Sequence, residues 1–125
     1  MALSETTPVD AGDIYWVTLP SQGGREQSGR RPCIVMSRRS INRGNPVVVV
    51  PMTSNVGKAS AYNIKIPAAE IIRDVHSTST IVDSVALCGH VFAIDKRKLE
   101  EKLGKLSHLA ILSVQLGLSY LFDIR

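Results

Sequence analysis

Residues Gly24 to Pro32 read Gly-Arg-Glu-Gln-Ser-Gly-Arg-Arg-Pro, which gathers a carboxylate, an amide and three guanidinium groups into one short stretch. Its glycines make it a turn, and the apolar run Cys33-Ile-Val-Met36 that follows makes a buried strand. Arg31 stands at the junction, held by the sheet yet open to solvent, and Pro32 stiffens it. The second chemistry-bearing group is the hydroxyl pair Thr53-Ser54, which leaves the strand Val47-Val-Val-Val-Pro-Met52. If the two strands are neighbours, the hydroxyls meet Arg31. A threonine so placed donates to a phosphate oxygen, and the arginine stabilises a pentavalent phosphorane and assists proton transfer to the leaving oxygen. An RNA substrate brings its own nucleophile, the 2′-OH, so neither a metal nor an activated water is required. The plain alternative is an Arg-rich loop that only binds phosphate or solvates a face, beside a Thr that ends a strand.

Charge favours a polyanionic partner. The chain of 125 residues has a net charge of +4, but the excess is local. Between Gly24 and Arg43 stand Arg25, Arg30, Arg31, Arg38, Arg39 and Arg43 against Glu26 alone, while the rest holds nine Lys/Arg against ten Asp/Glu. All six basic groups are arginines, whose planar fork grips phosphate in two places. Other chemistries are excluded: there is no Walker loop, nucleophile elbow, H-E-x-x-H or Cys pair at zinc spacing. His76, His90 and His108 are far apart, so no metal site and no cofactor are expected. Cys33 and Cys88 each lie in an apolar run and read as reduced core thiols of a cytoplasmic protein. No apolar stretch approaches the ~20 residues a bilayer span needs, and the acidic start from Met1 to Asp13 is wrong for a secretory signal.

The elements that must hold these groups are mostly strands. A single domain over residues 1–125 is expected, with residues 1–11 as a flexible arm. Strands are predicted over Asp13–Leu19, Arg31–Ser37, Val47–Val50 (buried on both faces), Ala61–Ile66, Ser79–Leu87 and Val91–Ile94. Arg38 to Pro46 is a connection, and Ala68 to Arg73 a helical turn after Pro67. A short helix is predicted over Lys96–Leu103, and a longer one from an N-cap at Ser107 to about Leu121. That last helix carries two apolar stripes, Leu109/Leu112/Leu116/Tyr120 and Ile111/Val114/Leu118/Leu121. A surface helix needs only one. The second predicts a partner surface, most simply that of an identical subunit.

Several blocks resemble the MazF/PemK toxins of type II toxin-antitoxin systems. Gly12-Asp-Ile-Tyr-Trp-Val17 is similar to their opening strand, Gly24 to Pro32 to their G-x-E-Q-x-G-x-R-P loop, and Val49-Val-Pro-Met-Thr-Ser54 to their strand end. Val82-Asp-Ser-Val-Ala-Leu-Cys88 and Ile94-Asp-Lys-Arg-Lys-Leu99 follow in family order. The resemblance implies an SH3-like β-barrel, mainly β with a C-terminal α-helix and flanking helices. It implies a homodimer that binds single-stranded RNA along the subunit interface, and a cognate antitoxin whose disordered tail competes with the RNA. It further implies a metal-independent endoribonuclease that cleaves mRNA at short specific sequences and leaves 2′,3′-cyclic phosphate and 5′-OH ends.

By position the resemblance makes Arg31 and Thr53 catalytic and Glu26 the loop carboxylate that serves as base in some members. Arg25, Gln27, Ser28, Arg30, Ser54 and His90 fall on the RNA path. One departure stands out. Where many members carry Asp-Gln and then an Arg, this chain reads Gly89-His90 and then Val91-Phe92. A mechanism that uses the Asp as base is therefore closed: either Arg31, Thr53 and Glu26 suffice, or His90 contributes as acid, base or phosphate contact, with a structural or base-contacting role favoured for it. Two rivals remain: a non-enzymatic toxin on the same barrel that poisons gyrase as CcdB proteins do, and an RNA-binding module without cleavage.

Overall fold

Asp13–Leu19 (β1), Gly29–Val35 (β2) and Val47–Thr53 (β3) form an antiparallel meander at the centre of one sheet. The computed structural model describes residues 7–19 and 29–124. Period-2 alternation sorts the meander onto two faces. Ile14, Ile34, Val50 and Met52 enter one core, while Tyr15, Val17, Cys33, Val35, Val47 and Val49 enter a second on the opposite side. In the all-valine run Val47 and Val49 are buried on one face and Val50 on the other, while Val48 is half-buried.

The remaining strands extend the sheet on both sides. Ile64–Ile66 (β4), Ile71–Arg73 (β5), Ser84–Ala86 (β6), Phe92–Ile94 (β7) and Lys102–Leu106 (β8) complete it in the order β4-β6-β3-β2-β1-β8-β5. The strand β7 pairs with the first half of β3. All pairs are antiparallel. The two end strands, β4 and β5, are consecutive in the chain and joined by Pro67 and a single 3₁₀ turn, Ala68–Glu70. That covalent link draws the sheet into a nearly closed barrel. Closure is tightest at Gly104, which pairs with both Ile14 and Arg73 at a β-bulge. A side chain there would enter contact distance of the Ile72 carbonyl oxygen and lie 3.1 Å from the Arg73 Cα. Glycine is the residue for such a crossing.

Arg39–Asn42 (α1) is one short turn between β2 and β3, and His108–Leu121 (α2) closes the chain. Ser107 caps α2 as predicted: its Oγ accepts from the Ala110 amide at 3.2 Å and donates to Glu70 Oε1 at 2.6 Å. Ala110, Val114 and Gly117 of α2 are buried, and Ile111 and Leu118 pack on the same core. The other stripe faces outward, with Leu109 and Leu116 each 70% exposed and Tyr120 66%. Among the described residues no helix is long and apolar enough to cross a membrane.

Four local expectations change. Lys96–Leu103 is not a helix. Only Lys96–Lys98 turns, as a 3₁₀ turn capped by Asp95, and β8 then fills the slot between β1 and β5. Pairing on both edges outweighs the helix-forming character of its lysines and leucines. Of Ser79–Leu87, only Ser84–Ala86 is strand. After the turn Ala68–Glu70, residues 71–73 add a strand instead of extending the helix. Within the arm expected to be flexible over residues 1–11, Val9 is held at 1% exposure and the Asp10 carboxylate takes two bonds from Arg39 at 2.6 and 2.7 Å. Residues 1–6 lie outside the described residues.

Cys33 and Cys88 are buried free thiols. Burial pushes them up to about 12 and about 11, respectively. In the unfolded chain both titrate near ~8.5, so the folded state holds these protons more tightly. Stability is therefore undiminished below that value and falls as pH rises through 11 and 12. The folded protein is expected to leave Ellman's reagent unreacted at pH 8, and two equivalents should appear at once in denaturant. Fast reaction of either thiol in the native protein would contradict this core.

Candidate active site

The register of β2 and β3 decides where the sequence-derived pair meets. Cys33 lies opposite Pro51, Ile34 opposite Val50 and Val35 opposite Val49. Arg31 and Thr53 lie two residues beyond the Cys33–Pro51 pair, where β3 has passed to pairing with β6, and both line one cleft. Each is fixed from its other side as well, Arg31 by pairing with Val17 and Thr53 by pairing with Val85. The Arg31 charge also reaches inward, where it pulls the Cys33 thiol down against the larger upward push of burial.

Both residues open onto a cleft of about 400 Å³. Arg30 and Pro32 line it from β2, Thr53 and Ser54 from the end of β3, and Trp16 from β1, with Thr80, Ile81 and Val82 completing the wall. Thr53 Oγ accepts from the Asn55 amide at 3.2 Å, which occupies the oxygen and leaves its O–H to donate. Arg30 is committed within the protein. Its Nε donates to Glu100 Oε1 at 2.9 Å, Nη2 lies 3.7 Å from Glu101 Oε1, and its guanidinium sits 4.6 Å over the Trp16 ring. The Thr18 hydroxyl donates to the other Glu100 oxygen at 2.7 Å and, with Arg30, holds that carboxyl below the usual range.

The structure separates other residues that the sequence grouped. His90 does not line the cleft. It ends the 3₁₀ turn Cys88–His90, which lies beside Pro51 and Val50 between the β6 and β7 pairings of β3. That is two to three residues along the strand from Thr53, or about 7–10 Å. Gly89 has a packing cause, since a Cβ would stand 2.9 Å from the Tyr62 ring and its amide donates to Asn63 Oδ1 at 3.2 Å. The basic run is also divided. Arg38, Arg39 and Arg43 flank α1 at the opposite end of β2 and β3 from the cleft, and Arg39 is paired with Asp10. Arg25, Glu26, Gln27 and Ser28 lie outside the described residues. Trp16 and the wall from Thr80 to Val82 were not foreseen. A tryptophan in mid-strand reads as core, and no motif marks the wall.

Comparison with known proteins accounts for this arrangement. Residues 10–122 match the family described as PemK-like, MazF-like toxin of type II toxin-antitoxin system. The chain belongs to that family. A relative of the toxin, the endoribonuclease MazF of Staphylococcus epidermidis, is 33% identical over 105 residues, 82% of each chain. The toxin also superposes on crystalline MazF of Deinococcus radiodurans with a TM-score of 0.73 and 27% identity, covering 94% of this chain and 99% of that one. A MazE–MazF structure from the same organism gives 0.68 and 26%, covering 95% and 99%. The Mycobacterium tuberculosis toxin MazF-mt6, at 18% identity and a TM-score of 0.69 over 90% and 98% of the two chains, shares the fold.

Proposed function

We propose that this toxin is a metal-independent endoribonuclease that cuts single-stranded RNA, with Arg31 and Thr53 as its catalytic pair. The observation that carries the reading is that both side chains line one cleft, in a chain whose relative is an endoribonuclease. The ribose 2′-oxygen forms a bond to phosphorus and the bond to the 5′-oxygen breaks, giving a 2′,3′-cyclic phosphate and a 5′-OH. Arg31 offsets the charge of the phosphorane and helps deliver a proton to the 5′-oxygen, while Thr53 donates to a non-bridging oxygen. Glu26 is assigned the 2′-OH proton, a role that its loop position in the family motif supports. Arg25, Gln27, Ser28 and Ser54 are assigned to RNA contact. His90, displaced along β3, is not assigned to the reaction.

A fluorogenic RNA incubated with the purified protein in EDTA tests this directly. Cleavage with a cyclic phosphate at the new 3′ end is expected. Binding without cleavage would leave an RNA-binding module, and failure of both would reopen the reading as a protein-directed poison.

The outward stripe of α2 supports a homodimer, because its large apolar side chains gain by leaving water. Light scattering at micromolar concentration is expected to give twice the chain mass, and Leu116→Lys to give the single mass. A monomeric parent would refute the assignment. The MazE–MazF relatives support a cognate antitoxin that competes with RNA for this toxin, acting in the cytoplasm where mRNA is found.

A further inference from the structure

Arg30 is badly placed to grip a phosphate. Two carboxylates, Glu100 and Glu101, stand within 3.7 Å of its guanidinium and already neutralise its charge, so it has little attraction left for an arriving anion. What the residue does offer is a fixed, flat surface. Thr18 holds Glu100, Glu100 holds Arg30 Nε, and Arg30 lies 4.6 Å over the Trp16 ring. The ring in turn is pinned by its Nε1 donating to Ser79 Oγ at 3.0 Å. Both residues line the cleft, and Arg30 immediately precedes Arg31. Unpaired RNA bases stack on aromatic rings and on guanidinium planes, and a neutral planar ring suffers no repulsion from the glutamates.

We infer that Trp16 and Arg30 form a stacking platform for one nucleobase next to the phosphate held by Arg31 and Thr53. The platform rests on the ribonuclease reading and adds a positioning role to it. It orients the strand in the cleft that Thr80 to Val82 also line.

Trp16 is the only tryptophan of the chain, so its emission reports occupancy. The probe is an RNA oligonucleotide taken from the mapped cleavage sites, with deoxyribose at the reacting nucleotide to prevent the cut. Its addition is expected to quench Trp16 in the parent. By competition against a labelled copy, Trp16→Ala should bind it about 10- to 100-fold more weakly, and Trp16→Phe should restore most of that loss. The decisive comparison places an abasic ribose at each nucleotide flanking the cleaved bond in turn. At one of the two positions the abasic change should cost the parent a similar factor and cost Trp16→Ala almost nothing. An equal abasic penalty in both proteins at both positions would overturn the platform.

Should Trp16→Ala fail to fold, Arg30→Gln takes its place in the abasic comparison. There the platform requires a reduced abasic penalty, whereas a salt dependence lowered by about one ion with an unchanged penalty would make Arg30 a phosphate contact and overturn it. A parent that binds no RNA ends both readings, whereas binding and cleavage without the coupling end only this one.

Discussion

Arg31→Ala is expected to lower RNA cleavage at least 10²–10³-fold, the cost of removing one preorganised group that stabilises transition-state charge, while the chain stays folded. The reacting phosphate gains negative charge on its non-bridging oxygens as the 2′-oxygen attacks. A fixed guanidinium offsets that charge without having to reorganise. Alanine removes the group, and no other cleft-lining cation replaces it among the described residues, because Arg30 is committed to Glu100. Arg31→Lys keeps the charge but loses the fork, so it should fall between the two. The fold should survive, since Arg31 is only half-buried at a strand end and its backbone pairing with Val17 does not depend on the side chain. Initial rates on a quenched RNA, with urea midpoints in parallel, check both halves of the expectation. A variant within a few-fold of the parent would remove Arg31 from the reaction.

Gly104→Ala is expected to destabilise the fold by about 3 kcal/mol or more, the upper end of what forced overpacking costs. The obstacle is the backbone of Ile72 and Arg73, not a side-chain end that can swing away. Relief would require β5 to separate from β8, which would reopen the barrel. A domain of this size is stable by only about 5–15 kcal/mol, so the variant should melt far earlier or fail to accumulate. Gly44→Ala is the control, because its added carbon would meet the nearest atom, the Ile41 carbonyl oxygen, at an ordinary 3.6 Å. Urea denaturation of the two variants should differ sharply. Equal midpoints would mean that the crossing at Gly104 is looser than it stands.

These expectations rest on features that the sequence exposed unequally. Val47 to Val50 announced itself, since four β-branched apolar residues in a row leave few alternatives to a doubly buried strand. Ser107 did too, through cap chemistry that is local. Arg31 and Thr53 were legible because both stand where a strand meets a loop. Their partnership, however, depends on a register that only the β2–β3 pairing sets. By contrast β8 was hidden, because Lys102-Leu-Gly-Lys-Leu106 owes its strand form to neighbours about 33 and about 90 residues away. The position of His90 was hidden for the reverse reason. Its chemistry was right and its sequence neighbours were right, but a 3₁₀ turn carried it along β3 and away from the cleft. The platform of Trp16, Arg30 and Glu100 joins three distant stretches, and no local pattern announces such a junction.

The cleft draws its lining from Trp16 near the beginning of the chain through to Leu103 near its end. During synthesis, therefore, Arg31 and Thr53 emerge from the ribosome well before the wall at Thr80 to Val82 and before β8 pairs with β1. A nascent toxin holding only its first half has the proposed catalytic pair but lacks the residues from Thr80 onward that complete the cleft. The machine that makes this protein is itself built of RNA and reads mRNA. The late closure of the barrel delays a complete cleft until Leu103 and its strand have been made.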